Sequence, residues 1–192
     1  MRYIPNIIDH TSNSEHVFDL FSKLLKERII LLYGEIDDNS SAVITAQLLY
    51  LASLSDEPIH MYINSPGGSV YAGLAIYDTM QFIKCPVYTY CTGIAASMAA
   101  VLLAGGESKH RYILNHSEVM IHQPLGGIKG QASDMDIAAK HIMRIKESLA
   151  QILAKHTGQD IAKIYQDSER DYYLNANEAK IYGLVDEIKI CI

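Results

Sequence analysis

A chain of 192 residues, 49% hydrophobic and 20% charged, has the size and balance of one well-buried globular domain, with or without a projecting element. Its net charge of −6, unbroken by any basic cluster, excludes a nucleic acid or an anionic membrane as the expected partner, because either selects a basic face. Three cysteines, Cys85, Cys91 and Cys191, leave an odd thiol and no Cys-x-x-Cys pair, which fits buried thiols in a reducing compartment and offers no metal site.

Residues 1–18 read as an N-terminal arm and 19–192 as a single domain. The first 15 residues are polar and irregular apart from Ile4-Pro5 and Ile7-Ile8, the pattern of a mobile segment. They lack a basic stretch leading into an apolar one, and the longest nearly apolar run, 94–104, is too short to span a bilayer, so a cytosolic protein is expected. Val17, Phe18, Phe21, Leu24 and Leu25 recur at helical spacing and predict a helix over 17–26. The apolar run 29–33, stopped by Gly34, predicts a strand buried on both faces. A helix capped by Asn39 or Ser40 follows, its buried stripe expected at Ala42, Val43, Ala46, Leu49 and Tyr50 and its end near Leu54.

The plan then repeats. A strand at 59–63, a turn at 64–68 and a helix over 69–83 make one unit, and a strand from 86, a turn and a helix over 98–104 make the next. Three such units in series imply an α/β fold with a mostly parallel sheet, its chemistry where strands give way to helices. Short strands are expected at 112–114 and 118–121, and Gly126, Gly127 and Gly130 mark an extended loop. A helix over 132–156, about 37 Å long at about 1.5 Å per residue, exceeds a domain of this size and is expected to project towards another subunit. A helix over 160–166, a helix opened by the capping-box pattern Asn175 to Glu178 and closed by Gly183, and a strand at 184–188 complete the chain.

Chemistry concentrates at Ser97. The pattern Ala95-x-Ser97-x-Ala99 between a strand and a helix has the layout of a nucleophile elbow, usually Gly-x-Ser-x-Gly, with alanines supplying the smallness that lets the turn close. A serine there stands beside free amide groups at a helix start, and Gly67-Gly68 can bring further bare amides close. The competing reading is a serine merely tolerated in an apolar helix. A nucleophilic serine needs a base and an orienting carboxylate. Of eight histidines, His122 ends a buried strand just before Gln123-Pro124 and would emerge at the rim of the same sheet, although a structural histidine has the same pattern. For the carboxylate, Asp171 lies where a charged stretch meets Tyr172-Tyr173-Leu174, while Asp134, Asp136, Asp167 and Asp186 remain open.

Four stretches, 62–69 (Tyr-Ile-Asn-Ser-Pro-Gly-Gly-Ser), 93–98 (Gly-Ile-Ala-Ala-Ser-Met), 120–127 (Met-Ile-His-Gln-Pro-Leu-Gly-Gly) and Glu169-Arg170-Asp171, resemble the proteolytic subunits of ATP-dependent Clp proteases, in a match running from about residue 4 to 188. The resemblance implies Ser97 as nucleophile, His122 as general base, Asp171 as its orienting carboxylate, and the amides of Gly68 and Met98 as the oxyanion hole. It implies a crotonase-like α/β fold, with 123–156 as a handle region joining two stacked heptameric rings, and Gln131, Asp134 and Arg170 at ring contacts. Unfolded polypeptide would be fed in by an AAA+ unfoldase whose ATP this chain does not bind, since no Gly-x-x-x-x-Gly-Lys loop is present and no cofactor is implied. His60, Tyr62, Phe82 and Tyr90 match the pocket that receives the unfoldase. His60 and Thr92 stand there where the family usually carries an aromatic residue and a methionine, and Ala99 where it often has glycine, which points to a paralogous proteolytic ring as a further partner. Two other functions fit part of the pattern: a regulatory ring subunit active only beside a partner, and an acyl-CoA enzyme sharing the fold.

Overall fold

The computed structural model describes residues 4–11, 14–127 and 129–190. Where the sequence suggests an irregular arm, β1 (Asn6–Thr11) and β2 (Ser14–Asp19) form an antiparallel hairpin, in a register that sets Ile7 opposite Phe18 and Ile8 opposite Val17. Cross-strand apolar pairs of this kind hold a hairpin. Met1 to Tyr3, which the expected arm includes, lie outside the described residues, as does Cys191. Val17 and Phe18 are therefore strand, and helix α1 (Leu20–Lys26) starts later than expected, with the Asp19 carboxylate accepting from the amides of Phe21 and Ser22.

Three units follow: β3 (Ile29–Tyr33) with α2 (Asp38–Leu54), β4 (Ile59–Ser65) with α3 (Val70–Phe82), and β5 (Val87–Ala96) with α4 (Met98–Ala104). The strands pair in parallel in the order β3-β4-β5. Only Ile30 and Leu32 of β3 are buried and the expected two-faced burial is not found, because one face of the sheet is left partly open here, as the same alternation in β4 shows. The cap of α2 is Asp37, in a reciprocal capping box with Ser40, not Asn39 or Ser40. Its buried face is Ser41, Ile44, Leu48 and Leu51, whereas Val43, Leu49 and Tyr50 of the expected stripe are about half exposed, at 56%, 47% and 55%. With apolar residues on two faces, periodicity alone does not choose between them.

The rest of the chain is β6 (Arg111–Leu114), β7 (Glu118–Ile121), α5 (Ala132–Thr157), α6 (Ile161–Asp167), β8 (Tyr172–Asn175), α7 (Ala176–Tyr182) and β9 (Glu187–Lys189). β6 and β9 continue the parallel sheet. β9 begins three residues into the expected 184–188 strand, at Glu187, because Leu184 and Val185 turn into the core first and Asp186 faces Arg111. Strand β5 serves two neighbours on one side. Residues 89–91 pair with β6, Gly93 kinks at φ 102°, and 94–96 pair with β7. The antiparallel strand β8, which the sequence reading lacked, then adds to β7.

All seven residues of α4 are buried, making it the centre of the core. Helix α5 spans 26 residues, about 39 Å, and buries Leu149, Ala150 and Leu153 only, all in its C-terminal half. Its N-terminal half stands exposed, as its length led one to expect.

Candidate active site

Three strand ends meet at one point. In the parallel pairing of β5 with β7, Ala96 sits opposite Met120, and the ladder continues one step with the Ser97 amide donating to the Met120 carbonyl at 2.8 Å. In the antiparallel pairing of β7 with β8, Ile121 sits opposite Tyr172, so the next residues outward, His122 and Asp171, face each other. The register thus delivers a hydroxyl, an imidazole and a carboxylate to one rim. Ser97 Oγ lies 2.9 Å from His122 Nε2, and His122 Nδ1 lies 2.9 Å from Asp171 Oδ1.

Ser97 holds φ 55°, ψ −121°, a left-handed conformation that costs a non-glycine residue about 1–3 kcal/mol and persists only where its surroundings impose it. Here β7 holds its amide and the first turn of α4 holds its carbonyl, through Ala100 N at 3.0 Å. Gly67 permits the close approach from the other side, since a Cβ there would lie 2.6 Å from the Ala96 carbonyl oxygen and 2.8 Å from Ser97 Cβ. Gly68 is bridged to Ile36 through the atoms of its two neighbours, Gly67 O and Ser69 N, which in a parallel pairing turns the Gly68 amide itself to the opposite side. Met98 opens α4, and the first amides of a helix have no partner within it.

His122 and Asp171 are tied by a polar bracket rather than by packing. The Gln123 amide donates to the Ser168 carbonyl at 2.6 Å, its side chain donates to the Glu169 carbonyl at 3.0 Å, and Lys146 Nζ donates to both Gln123 Oε1 (2.8 Å) and Glu169 Oε2 (3.2 Å). Lys146 holds the Glu169 carboxyl below its ordinary range. Sequence reading missed this bracket; the two adjacent tyrosines of Tyr172-Tyr173-Leu174, favourable in a strand, were the available hint of β8, though not of its partner. The other carboxylates are engaged elsewhere: Asp186 with Arg111, Asp136 with Lys140, and Asp167 with Lys163 and Tyr182. Asp134 lies in the first turn of α5. Cys91 is no rival nucleophile, since burial pushes its thiol up to about 12.

Ser97, His122 and an apolar wall of Val70, Met98, Val101, Ile121, Leu149 and Leu153 border a hollow of about 20 Å³. A proton acceptor on a hydroxyl, oriented by a carboxylate beside unpaired amides, is equipped to add an oxygen nucleophile to a carbonyl.

Among the described residues, no hydrogen bond joins the remaining sequence candidates to the triad, although Arg170 adjoins Asp171 in the chain. Gln131, the residue before α5, Asp134 and Arg170 are exposed, and no hydrogen bond or ion pair among the described residues joins the three to one another. His60 and Tyr62 share a face of the sheet with Tyr90: His60 Nδ1 lies 2.9 Å from the Tyr90 hydroxyl, and the Tyr62 and Tyr90 rings stack at 4.5 Å. Phe82, the last residue of α3, is 82% exposed and outside that cluster. Thr92 Oγ1 bonds Tyr33, and Ala99 is fully buried behind Ser97. No helix among the described residues is long and apolar enough to cross a membrane. A family model described as Clp protease matches residues 12–190, nearly the whole chain.

Proposed function

The chain belongs to the Clp protease family, a family of serine-type peptidases with this α/β fold, and from that premise we propose that it is an endopeptidase in which Ser97, His122 and Asp171 act as a triad. His122 Nε2 takes the Ser97 proton as Oγ attacks the scissile carbonyl, and the amides of Gly68 and Met98 stabilise the oxyanion that forms. Asp171 accepts from His122 Nδ1, fixing the tautomer and stabilising the imidazolium. The imidazolium then protonates the leaving amine, and water, activated by the same histidine, releases the acyl group from Ser97. The observation that carries this reading is the unbroken chain of two 2.9 Å hydrogen bonds from hydroxyl to carboxylate.

Unfolded polypeptide is the substrate in this reading, and access selects it more than a side-chain pocket does, in keeping with a hollow of only about 20 Å³. The chain works in the cytoplasm as heptameric rings stacked in pairs, with residues 123–156 as the handle between rings and Gln131, Asp134 and Arg170 at that contact. The exposed N-terminal half of α5 supports this assembly. An AAA+ unfoldase docks on the face carrying His60, Tyr62 and Tyr90, with Phe82 at its margin. Half-buried aromatic rings, stacked on one face of the sheet and still partly open to solvent, suit a partner.

The test is Ser97→Ala. The substitution is expected to lower peptide hydrolysis by about 10⁶-fold and to abolish labelling by a fluorophosphonate, while leaving the fold intact. Retained hydrolysis or labelling at another residue overturns the assignment.

A further inference from the structure

The side chain on the acyl side of a scissile bond must lie beside the nucleophile, because the carbonyl under attack is its own. Next to Ser97 the space open to it is this hollow, narrow enough that a shift of one methylene in its wall decides what enters. Half of that apolar wall is stiff. Val70, Val101 and Ile121 are β-branched and anchored in α3, α4 and β7. Met98 is unbranched, with three rotatable bonds and an adaptable thioether.

What holds Met98 back is a notch in α3. Gly73 lies one helical turn beyond Val70, on the same face, inside a helix where glycine costs about 1 kcal/mol against alanine. Its backbone is ordinary, without a positive φ, so conformation does not call for glycine here. Space does. A Cβ on Gly73 would overlap Met98 Cγ and lie 3.0 Å from Sδ and 3.1 Å from Cε, so the Met98 side chain rests lengthwise on the bare helix backbone. Met98 is 2% exposed and packed within the core, and the side left open to it is the hollow.

We propose that Gly73 is a positioning residue for substrate selection: by receiving the Met98 side chain, it sets the size of the apolar subsite for the acyl-side residue. The inference rests on Ser97 being the nucleophile. Filling the notch drives Met98 into the hollow and closes it to all but small side chains, whereas removing the Met98 side chain opens the hollow whatever stands at position 73.

The experiment uses two peptides that differ only in alanine or leucine on the acyl side of the cleaved bond, and reads the ratio of kcat/KM, leucine over alanine. That ratio cancels any loss of folded enzyme. Gly73→Ala is expected to lower it by about 10- to 200-fold, the range a methylene-sized change in an apolar pocket commands. Met98→Ala is expected to raise it about tenfold, and the double variant to match Met98→Ala, since nothing is left to displace. Labelling by a small fluorophosphonate counts competent Ser97 sites in each protein. Wild-type protein that neither labels nor cleaves removes the proposed reaction, and this inference with it. Gly73→Ala protein that labels normally with an unchanged ratio overturns the notch alone and leaves the triad standing. Should Gly73→Ala not fold, Met98→Ala decides, and an unchanged ratio there is again fatal to the proposal.

Discussion

The candidate site is built from two halves made in different ways. On one side, Ser97 sits at the mouth of α4, whose seven residues are all buried, and its strained backbone is imposed by β7, by the Gly67 loop and by the core. On the other, the Asp171 side chain is 57% exposed, and the loops that carry it and His122 are joined through Gln123, Lys146 and Glu169 rather than by packed apolar surface. The nucleophile is thus part of the fold, and its orienting carboxylate is an attachment to it. Damage to the two halves should therefore register differently, as lost stability in one and lost turnover in the other.

The sharpest form of that contrast is Asp171→Asn. The amide keeps the shape but no longer favours the tautomer that presents a bare Nε2 to Ser97, and on the proposed mechanism kcat falls by about 10⁴-fold. Because the side chain is largely solvated, thermal unfolding should be unchanged within about 0.5 kcal/mol. Equal losses of stability and turnover would break the comparison.

The opposite result is expected at Arg111. The residue is only 7% exposed, and its guanidinium holds Asp186 through Nε (2.9 Å) and Nη2 (2.6 Å), and donates from Nη1 to the carbonyls of Ala104 and His156 at the ends of α4 and α5. Burial pushes Asp186 up, but the bonds from Arg111 outweigh it and hold the carboxyl below its ordinary range. Arg111→Met strands that carboxylate and should cost about 3–5 kcal/mol in chemical denaturation, with the remaining folded fraction turning over at the wild-type rate per labelled Ser97.

Lys146→Ala tests the bracket between the halves. Its ammonium is 18% exposed and spans Gln123 on the His122 side and Glu169 on the Asp171 side. Loosening the bracket should lower kcat by about ten- to a hundredfold with KM little changed, as expected when reacting groups are misplaced by a fraction of an ångström. Lys146→Arg, which can still bridge the two loops, should recover part of the loss.

Legibility in the sequence follows the same division. β4, β5 and α4 could be read because they are short-range features: an apolar run, a proline, a glycine turn, a helix former. The place of Ser97 between β5 and α4 was readable for that reason, and so was the emergence of His122 at the end of β7. Asp171 was one aspartate among five, because its place depends on β8 pairing with β7 across some fifty residues, and no local pattern encodes that pairing. The hairpin β1–β2 escaped for a related reason: Ile7-Ile8 and Val17-Phe18 make a strand pair only once they are opposite one another. At α2 the error was of another kind. Both faces carry apolar residues, and the half-exposed one, with Val43, Leu49 and Tyr50, shows the stronger stripe to the eye. An apolar face left open in a single chain is what periodicity arguments misassign as core, and it is also what the proposed ring assembly would cover.

The smallest expected effect separates the halves by pH. His156, at the C-terminal end of α5, bonds the Tyr77 hydroxyl at 2.8 Å, and burial, with help from Lys155 and Arg111, pushes its pKa down to about 4. The unfolded chain binds that proton near 6.5, so above about pH 6.5 the residue is neutral in both states and costs nothing. As pH falls from about 6.5 towards 4, the unfolded chain takes up a proton that the folded chain refuses, and stability drops with it. The carboxylates held low, Asp19, Asp37, Asp186 and Glu169, withdraw their contributions as pH falls through the region of their ordinary values, 3.8 for the aspartates and 4.5 for the glutamate, so between pH 7 and pH 5 the histidine acts with little interference from them. Allowing for its partial exposure, the loss by pH 5 is about 1 kcal/mol, or about 2–4 °C in Tm for a domain of this size. Burial and Arg28 hold His60 below its ordinary value as well, so it adds to the same slope; His156→Gln, which can still bond Tyr77, should reduce that slope while leaving kcat at pH 7 unchanged, because the residue belongs to the buried half and lies away from the rim where proton transfer to and from Ser97 takes place.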